Sequence, residues 1–132
     1  MNLFVSGPLM FRDVVKAVSG KTFHIQCGLL NGYAQFLLGD EGQSALIPFP
    51  DRVVSGVVYL EVDDTSLLKL DAFQGRRFKR REVSIEAENG EWLEAEAYEL
   101  NLNHRKLLTA REWDEDEFRE KHLKKVVAAC LI

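Results

Sequence analysis

The stretch "RFKRREVSIEAENGEWLEAEAYEL" (residues 77–100) constrains the fold of this chain more than any other. Apolar and polar residues alternate on both sides of Asn89-Gly90, a pair suited to the left-handed backbone of a tight turn. The pattern predicts a β-hairpin with Trp92 and Tyr98 in its second arm. Other β-rich segments lie upstream. "NLFVS" is a short apolar strand stopped by Gly7-Pro8, and "VVSGVVYLEV" is dense in β-branched residues. "TFHIQCGLL" and "GYAQFLL" flank Asn31-Gly32, which reads as a second tight turn.

Helical spacing appears three times. In "LMFRDVVKAVSG" the apolar residues are Leu9, Phe11, Val14, Val15 and Val18, closed by Gly20. "DDTSLLKLDAF" places acids and hydroxyls at a helix start, with Leu67, Leu68, Leu70 and Phe73 expected on one apolar face and Gly75 just past the end. "WDEDEFREKHLKKVVAACLI" predicts one amphipathic helix in which Asp114 and Glu117 have capping-box spacing and acids precede lysines. "DEGQSALIPFPDR" reads as a loop whose second half is kept extended by Pro48 and Pro50. Roughly six strands and three helices, unevenly interspersed, lack the regular alternation of a doubly wound sheet. The expected class is α+β, a small mixed β-sheet curled into a barrel with peripheral helices. The open end of such a sheet is the natural ligand site. No repeat, linker or low-complexity tract divides residues 1–132, so a single domain is expected.

Composition narrows the function. Hydrophobic residues at 46% and charged residues at 29% are a globular balance, and a net charge of −4 gives no overall footprint for nucleic acid. No apolar run approaches the roughly 18 residues of a membrane span. "MNLFVSGPLM" lacks a basic leader region and reads as a first strand, not a signal peptide. Cys27 and Cys130 show no CxxC and no His–Cys ligand spacing. They are expected to be reduced, semi-buried thiols in a cytoplasmic protein that holds no metal.

Several residues invite a functional reading. Arg76, Arg77, Lys79, Arg80 and Arg81 are open to three readings: a solvated strand face, a small-anion or carboxylate site, or a nucleic-acid patch. Strand alternation sends Lys79 and Arg81 one way and Arg80 the other, and Glu82, Glu86 and Glu88 dilute the field, which favours the first. His24, His104 and His122 share no ligand or triad spacing and read as structural or surface residues. Ser6 stands at a strand end without the glycine elbow of a nucleophile or a paired histidine. Gly7-Pro8-Leu9-Met10 leads from a strand into a helix. Its N–H groups at Gly7, Leu9 and Met10 either cradle a carboxylate or oxyanion, or belong to a plain turn.

Taken in order, "LFVSGPLM", "GYAQF", "ALIPFP", "VSGVVYLEV", "LLKLDAFQGRRFKRREVSI" and "AEAYEL" resemble the gamma-glutamylcyclotransferase-like family, also called AIG2-like. That family's pattern runs from a first strand ending in Tyr-Gly-Thr-Leu to Gly-Tyr and Val-x-Gly-x-x-Tyr. Leu-Asp-x-x-Glu-Gly, Tyr-x-Arg and an Ala-x-x-Tyr strand follow. The resemblance covers nearly the whole chain, and "EWDEDEFREKHL" resembles the family's closing helix. It implies a mixed barrel whose open end holds the site, with no metal or cofactor. It also implies a reaction: the free α-amine of a γ-glutamyl amine or peptide attacks its own γ-carbonyl, closing 5-oxoproline and releasing an amine or amino acid.

By the same resemblance, the backbone cradle is Gly7, Pro8 and Leu9, and the acid–base position is Gln74. Ser6, Phe78 and Arg80 complete the implied substrate-binding set. The chain departs from the pattern at four of these positions. Ser6 and Phe78 stand where the family has tyrosines, Pro8 where it has threonine, and Gln74 where it has the proton-moving glutamate. Gly7, Leu70, Asp71, Gly75 and Arg80 are retained. A glutamine keeps the size of glutamate and can still accept a hydrogen bond from an ammonium, but takes up no proton near neutral pH. Three outcomes are open at this level. One is a cyclotransferase with altered or weak chemistry, in which Asp71 or Glu82 replaces the base. Another is a non-catalytic pocket for a small carboxylate-bearing ligand, and the last is an interaction scaffold. The oligomeric state is not legible.

Overall fold

The computed structural model describes residues 1–39 and 43–131. Six strands are present: β1 (Leu3–Val5), β2 (Ile25–Leu38), β3 (Ser44–Tyr59), β4 (Phe78–Ala87), β5 (Trp92–Leu100) and β6 (Leu108–Glu112). The helices are α1 (Arg12–Ser19), α2 (Asp64–Gln74), α3 (Glu115–Lys121) and α4 (Leu123–Cys130), with 3-10 turns at Pro8–Met10 and Leu102–Leu107. Antiparallel pairs join β1 to β3, β3 to β2, β2 to β4 and β4 to β5, and β5 returns parallel to β1. Five strands thus close a mixed barrel, and β6 is added to the outside edge of β2. The α+β barrel expected from the sequence is the observed architecture.

The barrel and its helices give two apolar layers. Phe4, Leu30, Val58, Val83, Ile85, Ala95 and Ala97 fill the barrel. Leu3, Val5, Val14, Val15, Tyr59, Leu67 and Leu70 form the layer between the barrel wall and the helices. β1 is therefore buried on both faces, which explains a strand of consecutive apolar residues.

Two sequence expectations change for one reason. Asn31-Gly32 does not reverse the chain. It forms a bulge within a single long β2, where Gly32 takes φ +79° and the register with β3 shifts between Asn31 and Tyr33. A bulge uses the same left-handed glycine that a tight turn uses. Opposite it, residues 49–52 of β3 stand against Gly32 alone, and Asp51 has φ +66°. The expected loop from Ser44 to Arg52 is accordingly the first half of β3, because proline's fixed φ suits an extended strand that bulges outward. Residues 40–42 of that expected loop lie outside the described residues. Arg52 pairs with Glu112 on β6 and lies 5.4 Å over the Phe49 ring, fastening the bulge.

The helices follow their signals with two exceptions. Leu68 is 68% exposed, since the α2 stripe that packs inward is Leu67 and Leu70. The last helix is broken at His122, giving α3 and α4 in place of one continuous element. Asp114 caps α3 by accepting from the Glu117 N–H at 3.0 Å. Phe11, Trp113 and Phe118 cluster, with Phe11 and Phe118 ring centroids 5.3 Å apart, and seat α3 against the start of α1. Among the described residues, no helix is long and apolar enough to cross a membrane.

Asp63 caps α2: its carboxylate accepts from the Ser66 hydroxyl at 2.7 Å and from the Ser66 N–H at 3.1 Å. The Ser66 hydroxyl contributes most to lowering the Asp63 pKa to about 2, with Lys21 also favouring the charged form. The folded-state value lies below the unfolded one of about 3.9. The cap's contribution is therefore complete above that value and is lost as pH falls through about 2. We expect Asp63→Ala to lower Tm by a few degrees near neutrality. Thermal melts across the acid range should show the gap to wild type closing between about pH 4 and 2.

Candidate functional site

The cavity sits where the barrel wall opens. β1 ends at Val5 because Gly7-Pro8 cannot continue the ladder. Beyond that point the bent first half of β3 reaches β5 only at Leu46–Glu99. The gap is a cavity of about 480 Å³, framed by Ser6, Gly7, Pro8 and Leu9 after β1, and by Gln43, Ser44 and Leu46 at the start of β3. Phe73 and Gln74 from α2, Tyr98 from β5, and Phe118, Val126, Ala129 and Cys130 from the last two helices complete it.

Polar contacts hold the first-strand turn in place. The Gln35 Nε2 group donates to the Ser6 carbonyl at 2.5 Å and to Ser44 Oγ at 2.8 Å. The buried Tyr59 hydroxyl donates to the Leu9 carbonyl at 2.7 Å. Burial pushes the Tyr59 pKa far up, so this donor stays protonated. The Met10 N–H is bonded to the Gly7 carbonyl at 2.8 Å, which at that position favours the plain turn over the open cradle. A 3-10 turn forms at once after Pro8 and takes up that donor.

Gly7 is required by space, not by dihedral angle, since its φ is −119°. A Cβ added there would lie 2.3 Å from Ser44 Oγ and 3.2 Å from Gln35 Nε2.

The sequence-derived site residues separate into two groups. Gln74, Ser6, Gly7, Pro8 and Leu9 share the cavity. Phe78 and Arg80 face a neighbouring depression with Asp71, Gly75 and Glu96, and Tyr98 is the wall common to both. Alternation along β4 does send Arg80 to this side, while Arg81 pairs with Glu99 at 3.0 Å. Arg80 binds Asp71 at 2.9 Å and Glu96 at 2.5 Å, and the Tyr98 hydroxyl donates to Asp71 at 2.5 Å. Glu82 is exposed, and Arg80 takes its carboxylates from Asp71 and Glu96. Asp71 is thus held by an arginine and a phenol, on the far side of Tyr98 from Gln74.

Among the described residues lining the cavity there is no carboxylate, lysine, arginine or histidine. Its titratable groups are the Tyr98 phenol, pushed up by burial and by its bond to Asp71, and the Cys130 thiol, pushed up by burial. Both are protonated near neutral pH. Charge appears one step further out. Gln43 and Gln74 also border a shallow cleft with Arg76, Arg77 and His104. Gln74 therefore stands on the rim between an apolar cavity and a basic cleft. Tyr98, His104 and the α4 residues were not assigned to the site from the sequence. Only Tyr98 had a signal, the tyrosine of the Ala-x-x-Tyr strand. No group of three or more His, Cys, Asp or Glu residues is placed to hold a metal ion among the described residues.

The Gly7–Ser44 approach is testable. Gly7→Ala should destabilise the fold by about 1–3 kcal/mol through overpacking. Removing the clashing hydroxyl with Ser44→Ala should recover part of that loss, giving a favourable coupling in a double-mutant cycle measured by denaturant unfolding.

Comparison with known proteins agrees with this fold. The family described as gamma-glutamyl cyclotransferase, AIG2-like, matches residues 3–115. AIG2-like protein A of Arabidopsis thaliana is 28% identical over 127 residues, covering 96% of this chain and 76% of the relative. A solution structure of an Arabidopsis thaliana protein superimposes with a TM-score of 0.74 at 27% identity, covering 97% of this chain and 86% of that one. The crystal structure of an AIG2-like protein from Mus musculus shares the fold with a TM-score of 0.66 at 20% identity, over 86% and 87% of the two chains. The chain belongs to the gamma-glutamyl cyclotransferase, AIG2-like, family.

Proposed function

We propose that this protein, acting as one domain, binds a small γ-glutamyl or related carboxylate-bearing molecule across the Gln74 rim. Cyclisation to 5-oxoproline is at most slow there, because the proton-moving carboxylate is replaced by an amide. The observation that carries this reading is the position of Gln74 between a basic cleft and a cavity whose described lining residues carry no charge. A γ-glutamyl amide has the same layout. Its glutamyl end bears an α-carboxylate and an α-ammonium, the amide lies in the middle, and the amine substituent forms the other end. Arg76, Arg77 and His104 suit the carboxylate, and the Gln74 amide oxygen can accept from the ammonium.

The family reaction needs little from a protein beyond holding the bent conformer and moving protons from the attacking nitrogen to the leaving one. The α-nitrogen bonds to the γ-carbonyl carbon and the bond to the leaving nitrogen breaks; the α-ammonium gives up two protons to become the lactam N–H, and the leaving nitrogen takes up two to depart as an ammonium. Gln74 can orient the ammonium but cannot carry a proton. Tyr98 and Cys130 are held in their protonated forms and do not substitute as bases. Loss of a general base costs about 10²–10⁴ in rate.

The test is 5-oxoproline release from a panel of γ-glutamyl amines and peptides, with wild type beside Gln74→Glu. The substitution should raise the rate by at least about 100-fold while ligand affinity changes little. Rapid turnover by wild type that Gln74→Glu does not increase would show that another group moves the proton and would overturn the reading.

A further inference from the structure

The cavity that Gln74 lines is also walled by the last two helices. The residues concerned, Phe118, Val126, Ala129 and Cys130, lie beyond residue 115, where the family match ends. In α4, positions 126, 129 and 130 follow the i, i+3, i+4 spacing of one helix face, and Lys124 and Lys125 are exposed to solvent. The apolar face is only partly covered: Val126 and Cys130 are half-buried and Ala129 is exposed, although all three line the cavity. Phe73 of α2, also half-buried, faces the same space. The molecule thus keeps uncovered apolar surface inside a cavity of about 480 Å³, within the size range of small-molecule sites and larger than a glutamyl group fills.

From this we infer that the amine portion of the ligand is apolar and uncharged, an arylalkyl or branched alkyl amine seated between α4 and Phe73. The inference rests on the γ-glutamyl reading of the Gln74 rim. A leaving group with its own charge, such as the carboxylate of an amino acid or the ammonium of lysine, finds no counter-ion among the described lining residues. Moving it there would remove its hydration without replacement. An apolar group loses nothing on entry and covers the exposed face of α4. Burial of a group the size of a phenylalanine or leucine side chain corresponds to roughly a tenfold or greater gain in affinity.

The experiment is calorimetric titration of the full chain with γ-glutamylphenethylamide, γ-glutamylglycine and N-acetylphenethylamine. If the amide is cleaved during the titration, the same ratios are read as kcat/KM. We expect γ-glutamylphenethylamide to bind at least about tenfold more tightly than γ-glutamylglycine. Ala129→Lys, a substitution the last turn of a helix tolerates, should narrow or invert that ratio by offering the glycine carboxylate a partner. Equal affinity for the two γ-glutamyl compounds would overturn the apolar-amine inference and leave the glutamyl reading standing. N-acetylphenethylamine binding as tightly as its γ-glutamyl counterpart, with γ-glutamylglycine inert, would support the apolar wall and overturn the glutamyl reading. Absence of binding by all three would overturn both.

Discussion

The bend in β3 is the constraint on which the rest of the molecule depends. A five-strand ring closes only if its longest strands curl sharply, and here the curl is concentrated where residues 49–52 oppose Gly32. Past the bend, the second half of β3 pairs with β1 at Val57–Tyr59, and the first half crosses to touch β5 at Leu46. The start of β3 therefore forms one lip of the opening that β1 leaves when it stops. Closure of this kind needs tight approaches, and Gly56 permits one. A Cβ there would lie 2.3 Å from the Val5 carbonyl oxygen.

Electrostatics then divides the surroundings of Gln74 into three compartments. Arg80, Asp71, Glu96 and Tyr98 form a mutually satisfied network on one side. Its members bond one another, and with Asp71 on α2 and Arg80 on β4 it ties the helix to the barrel. Arg80, Asp71 and Glu96 keep their charges among themselves, and none of the three is among the described residues lining the cavity. The basic cleft of Arg76, Arg77 and His104 is the third compartment. The pairing of Asp71 with Arg80 holds α2 in place whatever residue occupies position 74.

Much of this was legible along the chain because it rests on local rules. The Asn89-Gly90 hairpin, the Asp63 and Asp114 caps, Gly20 and Gly75 at helix ends and the break at Gly7-Pro8 each follow from the preferences of a few neighbouring residues. Local rules failed where one signal has two structural uses. Asn31-Gly32 supplies a positive φ, and whether that becomes a turn or a bulge depends on what the flanking strands pair with. Pro48 and Pro50 suit a loop or a bulged strand equally, and β3's pairing with β2 decided for the strand. His122 carries no helix-breaking signature, so the division between α3 and α4 had none to read.

The sequence by itself determined the family, the barrel class and the identity of the residue at position 74. These depend on ordered motifs and on the chemistry of one side chain. Only the tertiary structure decided that Gln74 and the Ser6–Leu9 turn share a cavity, that Phe78 and Arg80 lie across Tyr98 from it, and that α4 lines it while His104 borders the neighbouring cleft. Those relations join residues separated by tens of positions. They are set by how strand bends and helix docking meet in space, and no local pattern of residues encodes that meeting.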